Sequence, residues 1–215
     1  MRLPFRFSLC EAVNMNLHLK HLTVDDYRVM PWKNGGGSTT EIAIYPLQST
    51  MSDSFLWRVS LAQLNGSGPF SSFPGYERSI VQLSGHPMQL IHQDGHPKVK
   101  ELEPLTPYPF PGEWTTEGKL EGRAEDFNLM LRRDAVRGNL DCLQLKADEI
   151  VTAQLAKSTL IWVYRGDVVW ESQAQRKSLV TRDSLLIEGS GHEHFQLEAK
   201  GGDVILFIAR INPKV

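Results

Sequence analysis

Two arginines, Arg58 and Arg78, are the side chains best suited to chemistry in this sequence. A guanidinium is a planar fork of donors that matches a carboxylate bidentately, and it is rarely buried without an acceptor. Their surroundings alternate as strands do. In FLWRVSLAQL (55–64), Phe55, Trp57, Val59 and Leu61 share one face, and Leu56, Arg58, Ser60 and Ala62 the other. In DFNLMLRR (126–133), Phe127, Leu129 and Leu131 oppose Asp126, Asn128, Met130 and Arg132. In TEIAIYP (40–46), Ile42 and Ile44 oppose Glu41, Ala43 and Tyr45. If the apolar faces pack together, the polar faces point at solvent or into a lumen. In a lumen, Arg58, Arg78, Asn128, Glu41, Ser60 and Met130 form a candidate site for a small anion. Trp32 and Phe73 adjoin this set in sequence and could wall it, whereas Phe127 belongs with the core. Asn34 offers an amide to a ligand or caps a turn. The triplet Gly35, Gly36, Gly37 precedes a strand rather than a helix, so it is not a dinucleotide loop. It predicts a tight turn with positive φ, or a close approach of the backbone to a ligand.

Other chemistries have thinner support. GHEHFQLE sets His192, His194 and Glu198 at a spacing that can hold a divalent metal. A polar strand end late in the chain is the preferred reading of it. His86, His92 and His96 flank the SGHP and DGHP turns and are expected in loops. There is no GxSxG elbow, no cysteine with an arranged histidine and no tight carboxylate pair. An alternative use of the same residues is a metal-free isomerase or lyase, with Glu41 as general base and Arg58 holding a substrate carboxylate.

The elements that must position these residues are strands. TLIWVY, VVW, SLLIE, HFQLEA and DVILFIAR continue the pattern, spaced by Gly, Asp, Asn and Ser. Only TVDDYRV looks helical, with Thr23 as N-cap. Many short strands with frequent turns mean an all-β sandwich or barrel. The halves also rhyme: SIVQLSG followed by MQLIH, then LIWVYRG followed by VVW, as two tandem jelly rolls would leave. Residues 1–14 read as an N-terminal extension, with Met15 an alternative start. Residues 15–135 read as a first barrel with the candidate pocket, and 136–215 as a second. The break is expected at 133–140, where RRDAVRGNL interrupts the alternation. Pro-rich ELEPLTPYPFPGEW predicts a rigid loop or edge passage.

Composition narrows the function classes. The 215 residues carry 23 Lys and Arg against 25 Asp and Glu, with no basic stripe, which argues against nucleic acid. No apolar run approaches the roughly 18 residues needed to cross a bilayer, so no membrane partner is expected. Two cysteines, Cys10 and Cys142, fit a reducing compartment, and the cytoplasm is the expected location.

WKNGGGSTTEI (32–42), FLWRVSLA (55–62), GPFSSFPGYERSIVQLSG (68–85), PFPGEW (109–114) and DFNLMLRR (126–133) together resemble the HutD/Ves family. The likeness is strong over residues 28–133 and general beyond. It implies a bicupin: two tandem cupin (jelly-roll) barrels. It also implies, for the HutD branch, a role in bacterial histidine utilisation that limits pathway expression rather than catalysing a step. The Ves branch is associated with stress induction. Most cupins hold a metal through an HxH pair, a following glutamate and a glycine seven residues later. With that glycine at Gly85, Arg78 stands where the glutamate would be, and the histidine region falls on residues 71–75, which offer no ligand. An arginine cannot ligate a cation. The expectation is a protein without metal or cofactor that binds a small anionic metabolite, such as urocanate or N-formylglutamate, and modulates histidine-utilisation expression. A homodimer is the one protein assembly left open.

Overall fold

Alternating side chains become strands where one face has apolar surface to cover. The computed structural model describes residues 17–50, 54–172, 175–189 and 194–214, so Cys10, Met15 and His192 lie outside the described residues. Among the described residues there is no α-helix. The expected helix around TVDDYRV is a single 3-10 turn, Val24–Asp26, and Arg28–Pro31 is already strand. Thr23 holds the N-cap position, where its N–H donates to Asp26 Oδ2 at 2.9 Å, but its own side chain makes no capping bond. The segment has no second turn of apolar residues to carry a helix further.

The N-terminal half contributes β1 (His18–Leu22), β2 (Arg28–Pro31), β3 (Gly37–Tyr45), β4 (Trp57–Leu64), β5 (Gly68–Pro69) and β6 (Tyr76–Gly85). It continues with β7 (Gln89–Asp94), β8 (His96–Glu101), β9 (Tyr108–Pro111), β10 (Thr115–Lys119) and β11 (Ala124–Arg132). The C-terminal half contributes β12 (Val136–Leu145), β13 (Ile150–Gln154), β14 (Ser158–Glu171), β15 (Arg176–Leu179), β16 (Ser184–Glu188) and β17 (His194–Pro213).

A six-stranded sheet, β2-β3-β4-β11-β6-β9, and a four-stranded sheet, β5-β10-β7-β8, enclose the first barrel. The proline-rich segment supplies β9, an edge strand paired only with β6. The second barrel is one seven-stranded sheet in the order β1-β16-β14-β17-β12, with β13 added to β17 and β15 to β14. Its long strands β14 and β17 serve both walls. Their pairing is irregular between Val163 and Asp167, where Gly166 sits at φ +87 and an added Cβ would lie 2.6 Å from the Asp203 carbonyl oxygen. A side chain there would block the bend. Although β1 comes first in the chain, it pairs with β16 of the C-terminal half.

The apolar faces meet between the barrels. Trp57, Val59 and Leu61 of β4 and Phe127, Leu129 and Leu131 of β11 pack on Leu160, Trp162, Phe207 and Ala209. Phe127 lies 5.2 Å from Trp162 and 5.3 Å from Phe207, centroid to centroid, inside the core. Arg182 locks the junction with a two-pronged bond to Glu125, both contacts 2.8 Å. Tyr164 donates to the Leu83 carbonyl at 3.0 Å.

Two alternation patterns slip. A bulge between Glu41 and Ala43 puts Ile42 in the inter-barrel core, while Ile44 packs with Phe55 and Met130 on the lumen side. Phe55 likewise leaves the face of Trp57, because β4 begins only at Trp57. A one-residue bulge exchanges the faces of everything beyond it. His92 is also not a loop residue. It lies in β7, fully buried among Tyr108, Phe110 and Trp114. Its Nδ1 shares a 2.9 Å hydrogen bond with Thr116 Oγ1, and burial pushes its pKa down.

Candidate ligand-binding site

With one face of the six-stranded sheet committed to the inter-barrel core, the other must line the first barrel. Strands β4, β11 and β6 lie side by side, and their register stacks lumen residues in rows. Arg58, Met130 and Arg78 form one row; Ser60, Asn128 and Ile80 the next; Ala62, Asp126 and Gln82 the third. Toward the four-stranded sheet the lumen is filled by Ile80, Met88, Leu90, Leu102 and Phe110. Elsewhere a cavity of about 670 Å³ remains, a size that suits a small metabolite. Arg58, Ser60, Arg78, Asp126, Asn128 and Met130 wall it, with Trp32, Lys33, Asn34, Phe70, Ser71 and Phe73 around them.

The loop ahead of β3 is shaped by its glycines. Gly35 has φ +70, and a Cβ on Gly37 would stand 2.1 Å from the Gln63 carbonyl oxygen and 3.0 Å from the Trp32 ring. The positive-φ reading of the triplet therefore holds at Gly35, and the close approach at Gly37 is to the Gln63 backbone and the Trp32 ring. Asn34 Oδ1 accepts from the Gly36 N–H at 3.0 Å, which makes it a turn cap that also lines the cavity. The Trp32 indole N–H donates to Thr39 Oγ1 at 2.8 Å, fixing the ring as a wall.

The two arginines differ in their partners. Arg58 is 5% exposed, and its Nε donates to Glu41 Oε2 at 2.7 Å. Glu41 is not a wall residue but the counter-ion behind one. Arg78 is 6% exposed, and its direct acceptors are neutral: Asn128 Oδ1 at 2.9 Å and, loosely, the Ser71 carbonyl at 3.4 Å. Its Nε has no hydrogen-bond partner. The guanidinium lies 5.3, 5.7 and 5.0 Å from the ring centroids of Phe70, Phe73 and Phe110. Aromatic faces attract a cation but offer no acceptor. Burial pulls the Arg78 pKa down to about 10, which leaves it charged at neutral pH.

Asn128 passes the contact on, its Nδ2 donating to Asp126 Oδ1. Asp126 is fully buried, and its Oδ2 has no partner. Burial pushes its carboxyl up to about 7, against the opposing pull of Arg78. Sequence reasoning put Asp126 on the face of Asn128 and Met130 but left it out of the site. The signal was available, since a carboxylate two residues from Asn128 in a lumen strand must share its lumen. Phe70 and Ser71 were also missed, because a loop has no period to show where its side chains turn.

The donor set does not fit a divalent metal. The lining offers two guanidinium groups, an ammonium, two amides, four hydroxyls, two thioethers and a single carboxylate, with no imidazole. Among the described residues, no three of His, Cys, Asp and Glu gather in a way that could hold an ion. Of the HxH pattern, His194 is exposed and Glu198 is joined to Lys200, while His192 lies outside the described residues. The second barrel's interior is filled by Ile161, Val163, Trp170, Phe195, Leu197 and Leu206. Among the described residues, no helix is long and apolar enough to cross a membrane.

This architecture has known relatives. An oxalate decarboxylase variant from Bacillus subtilis matches with TM-score 0.67 at 8% identity, over 88% of this chain and 76% of that one. A cupin 2 conserved barrel domain protein from Leptotrichia buccalis matches with TM-score 0.53 at 8% identity, over 80% and 87%. At such identities the likeness is one of fold, and the fold is that of cupins. Protein Ves of Cronobacter sakazakii is 32% identical over 181 residues, 82% of this chain and 92% of Ves. An uncharacterised 21.2 kDa protein from the hutC 3′ region of Pseudomonas putida is 37% identical over 186 residues, 85% of this chain and 93% of that protein. The structure of HutD from Pseudomonas fluorescens, solved in a formate condition, gives TM-score 0.72 at 29% identity over 92% and 100%. The HutD sequence profile itself matches residues 24–206, and on these grounds the chain belongs to the HutD family.

Proposed function

We propose that this chain is a metal-independent, cytoplasmic bicupin that binds a small carboxylate in its first barrel, and that this binding is how it modulates histidine-utilisation expression. The observation that carries the reading is Arg78. A buried, charged guanidinium with a free Nε and only neutral direct acceptors leaves an unmet demand inside a cavity, and a carboxylate answers it. Glu41 already balances Arg58, so the net positive end of the cavity lies at Arg78, with Lys33 also on its wall. The same ion pair argues against the enzyme alternative. A carboxylate held by Arg58 at 2.7 Å is poorly placed to act as general base. The link to histidine utilisation rests on the names of the relatives, and neither nucleic acid nor membrane is invoked as a partner.

A thermal-shift screen of small carboxylates, urocanate and N-formylglutamate among them, tests the reading. Arg78→Ala and Arg78→Lys should each weaken the hit by roughly 10- to 100-fold, because a charge-assisted hydrogen bond contributes about 1.5–3 kcal/mol. Lysine keeps the charge but loses the fork. If folded Arg78→Ala binds as the wild type does, the site is misassigned. Chromatography of the ligand after incubation checks for turnover; conversion would restore the isomerase or lyase reading.

A further inference from the structure

Asp126 is the group in the cavity that the anion reading does not use. It is fully buried, it forms part of the cavity wall, and Oδ2 is without a partner. Its orientation is fixed from one side only. Asn128 gives one of its two amide hydrogens to Asp126 Oδ1 and accepts with its carbonyl oxygen from Arg78 Nη2. The amide is thereby held with its oxygen toward Arg78 and its nitrogen toward Asp126. It cannot turn to serve Oδ2 without breaking both contacts.

An anion drawn to Arg78 therefore arrives one side chain away from a carboxyl group. Two ionised carboxylates at that spacing repel, and neither can donate to the other. One proton shared between them turns the repulsion into a short, charge-assisted hydrogen bond. We propose that Asp126 decides which anions this cavity accepts: it takes up one proton as the anion binds, and its Oδ2–H then donates to the ligand oxygen that Arg78 leaves free. The inference rests on the reading of the cavity as an anion site. The proton comes from solvent, and no other bond is made or broken. The class of ligand follows. It is an anion basic enough to share a proton, a carboxylate rather than a sulfonate.

The surrounding charges allow it. From β6, Arg78 favours the ionised carboxyl and already holds Asn128. From β4, Arg58 is balanced by Glu41 of β3. On β11 itself, Glu125 is forked by Arg182 and disfavours a second negative charge beside it. Lys33 stands in the cavity wall on the loop ahead of β3. The carboxyl of Asp126, raised by burial to about 7, changes charge within the working range of pH. Above that value, ligand binding must first protonate it.

Calorimetric titration of the full chain with N-formylglutamate or propanoate, neither of which titrates between pH 6 and pH 9, tests the proposal. Affinity should be nearly constant below pH 7 and fall about tenfold per unit above it, to about 100-fold between pH 6 and pH 9, by proton linkage. At pH 8 the heats measured in Tris and in triethanolamine should differ by the uptake of close to one proton per ligand. Asp126→Asn, which carries a permanent donor at that position, should flatten the profile and bind tenfold or more tightly than wild type at pH 9. Ethanesulfonate should compete at least tenfold more weakly than propanoate at pH 6. If the wild type binds neither carboxylate at pH 6, the anion site itself is wrong. If it binds, but with equal affinity at pH 6 and pH 9 and no dependence on buffer, the site stands and the role of Asp126 is overturned. That measurement needs no variant. Loss of binding in folded Asp126→Asn would overturn it too, since an ionised Asp126 would then be reading a donor on the ligand. Equal competition by the sulfonate would remove the selectivity.

Discussion

Asp126→Asn should stabilise the free protein at high pH and do little at low pH. Asparagine is isosteric with the neutral acid, so it can keep the contact with Asn128 while removing the charge. An unfolded aspartate titrates near 3.9, whereas burial raises this one to about 7 in the fold. The sign follows from linkage. A carboxyl whose folded pKa is raised imposes no penalty below the unfolded value. The penalty grows as pH rises between the two values and is complete above the folded one. Three units at about 1.36 kcal/mol each give about 4 kcal/mol at pH 8 and above. Full burial means that solvent screening does not reduce this figure much. For a chain of this size, it corresponds to a gain of roughly 8–16 °C in Tm. Urea unfolding of wild type and variant at pH 5, 7 and 9 measures it. The difference between the two should widen from pH 5 to pH 7 and level off by pH 9. A constant difference across that range, or a variant less stable than wild type at pH 9, would refute the reasoning.

Glu41→Gln should lower stability by about 2–4 kcal/mol in urea unfolding, because it leaves Arg58 buried with an acceptor but no counter-charge. The same variant should bind carboxylates more tightly, since a second fork becomes unbalanced. Gly37→Ala should cost more than about 2 kcal/mol, its Cβ meeting the Gln63 carbonyl at 2.1 Å. Gly66→Ala, with nothing within 4 Å and no positive φ, should be near neutral in the same assay.

Period-two alternation carried most of the fold. It separates Phe127, Leu129 and Leu131 from Asp126, Asn128 and Met130, and the packing of the first set between the barrels turns the second inward. It failed at Ile44 and Phe55, where a bulge and a strand start shift the phase by one residue. Neither event leaves a mark in composition. The helix expected around TVDDYRV failed for another reason: an N-cap residue at Thr23 starts a turn, but only an apolar stripe extends it. In the cavity, strand faces predicted the lining residues better than their partners. Arg58 and Arg78 look equivalent in sequence. Only the register, which brings Glu41 and Ser60 into one row of β3 and β4, shows that one of them is already balanced. His92 misled because a turn follows it, while its side chain obeys the strand that precedes the turn.

The two barrels share a fold but divide its demands. The second is filled to its axis by Trp170, Phe195 and aliphatic neighbours, and it meets the first across Trp162 and Phe207. The first leaves a cavity lined by a buried guanidinium with a free Nε and a buried carboxyl with a free oxygen, each of which costs stability. A lone barrel with such an interior would be marginal. Backed by the inter-barrel core and locked by Arg182 on Glu125, its β11 is held from behind while its front face stays polar. Strand β11 is thus the element that joins the two roles. Phe127, Leu129 and Leu131 anchor it in the inter-barrel core, and the residues between them, Asn128 and Met130, inherit that rigidity in the cavity. Cutting the anchor, for instance at Phe127, should therefore loosen the ligand site without touching any residue that lines it.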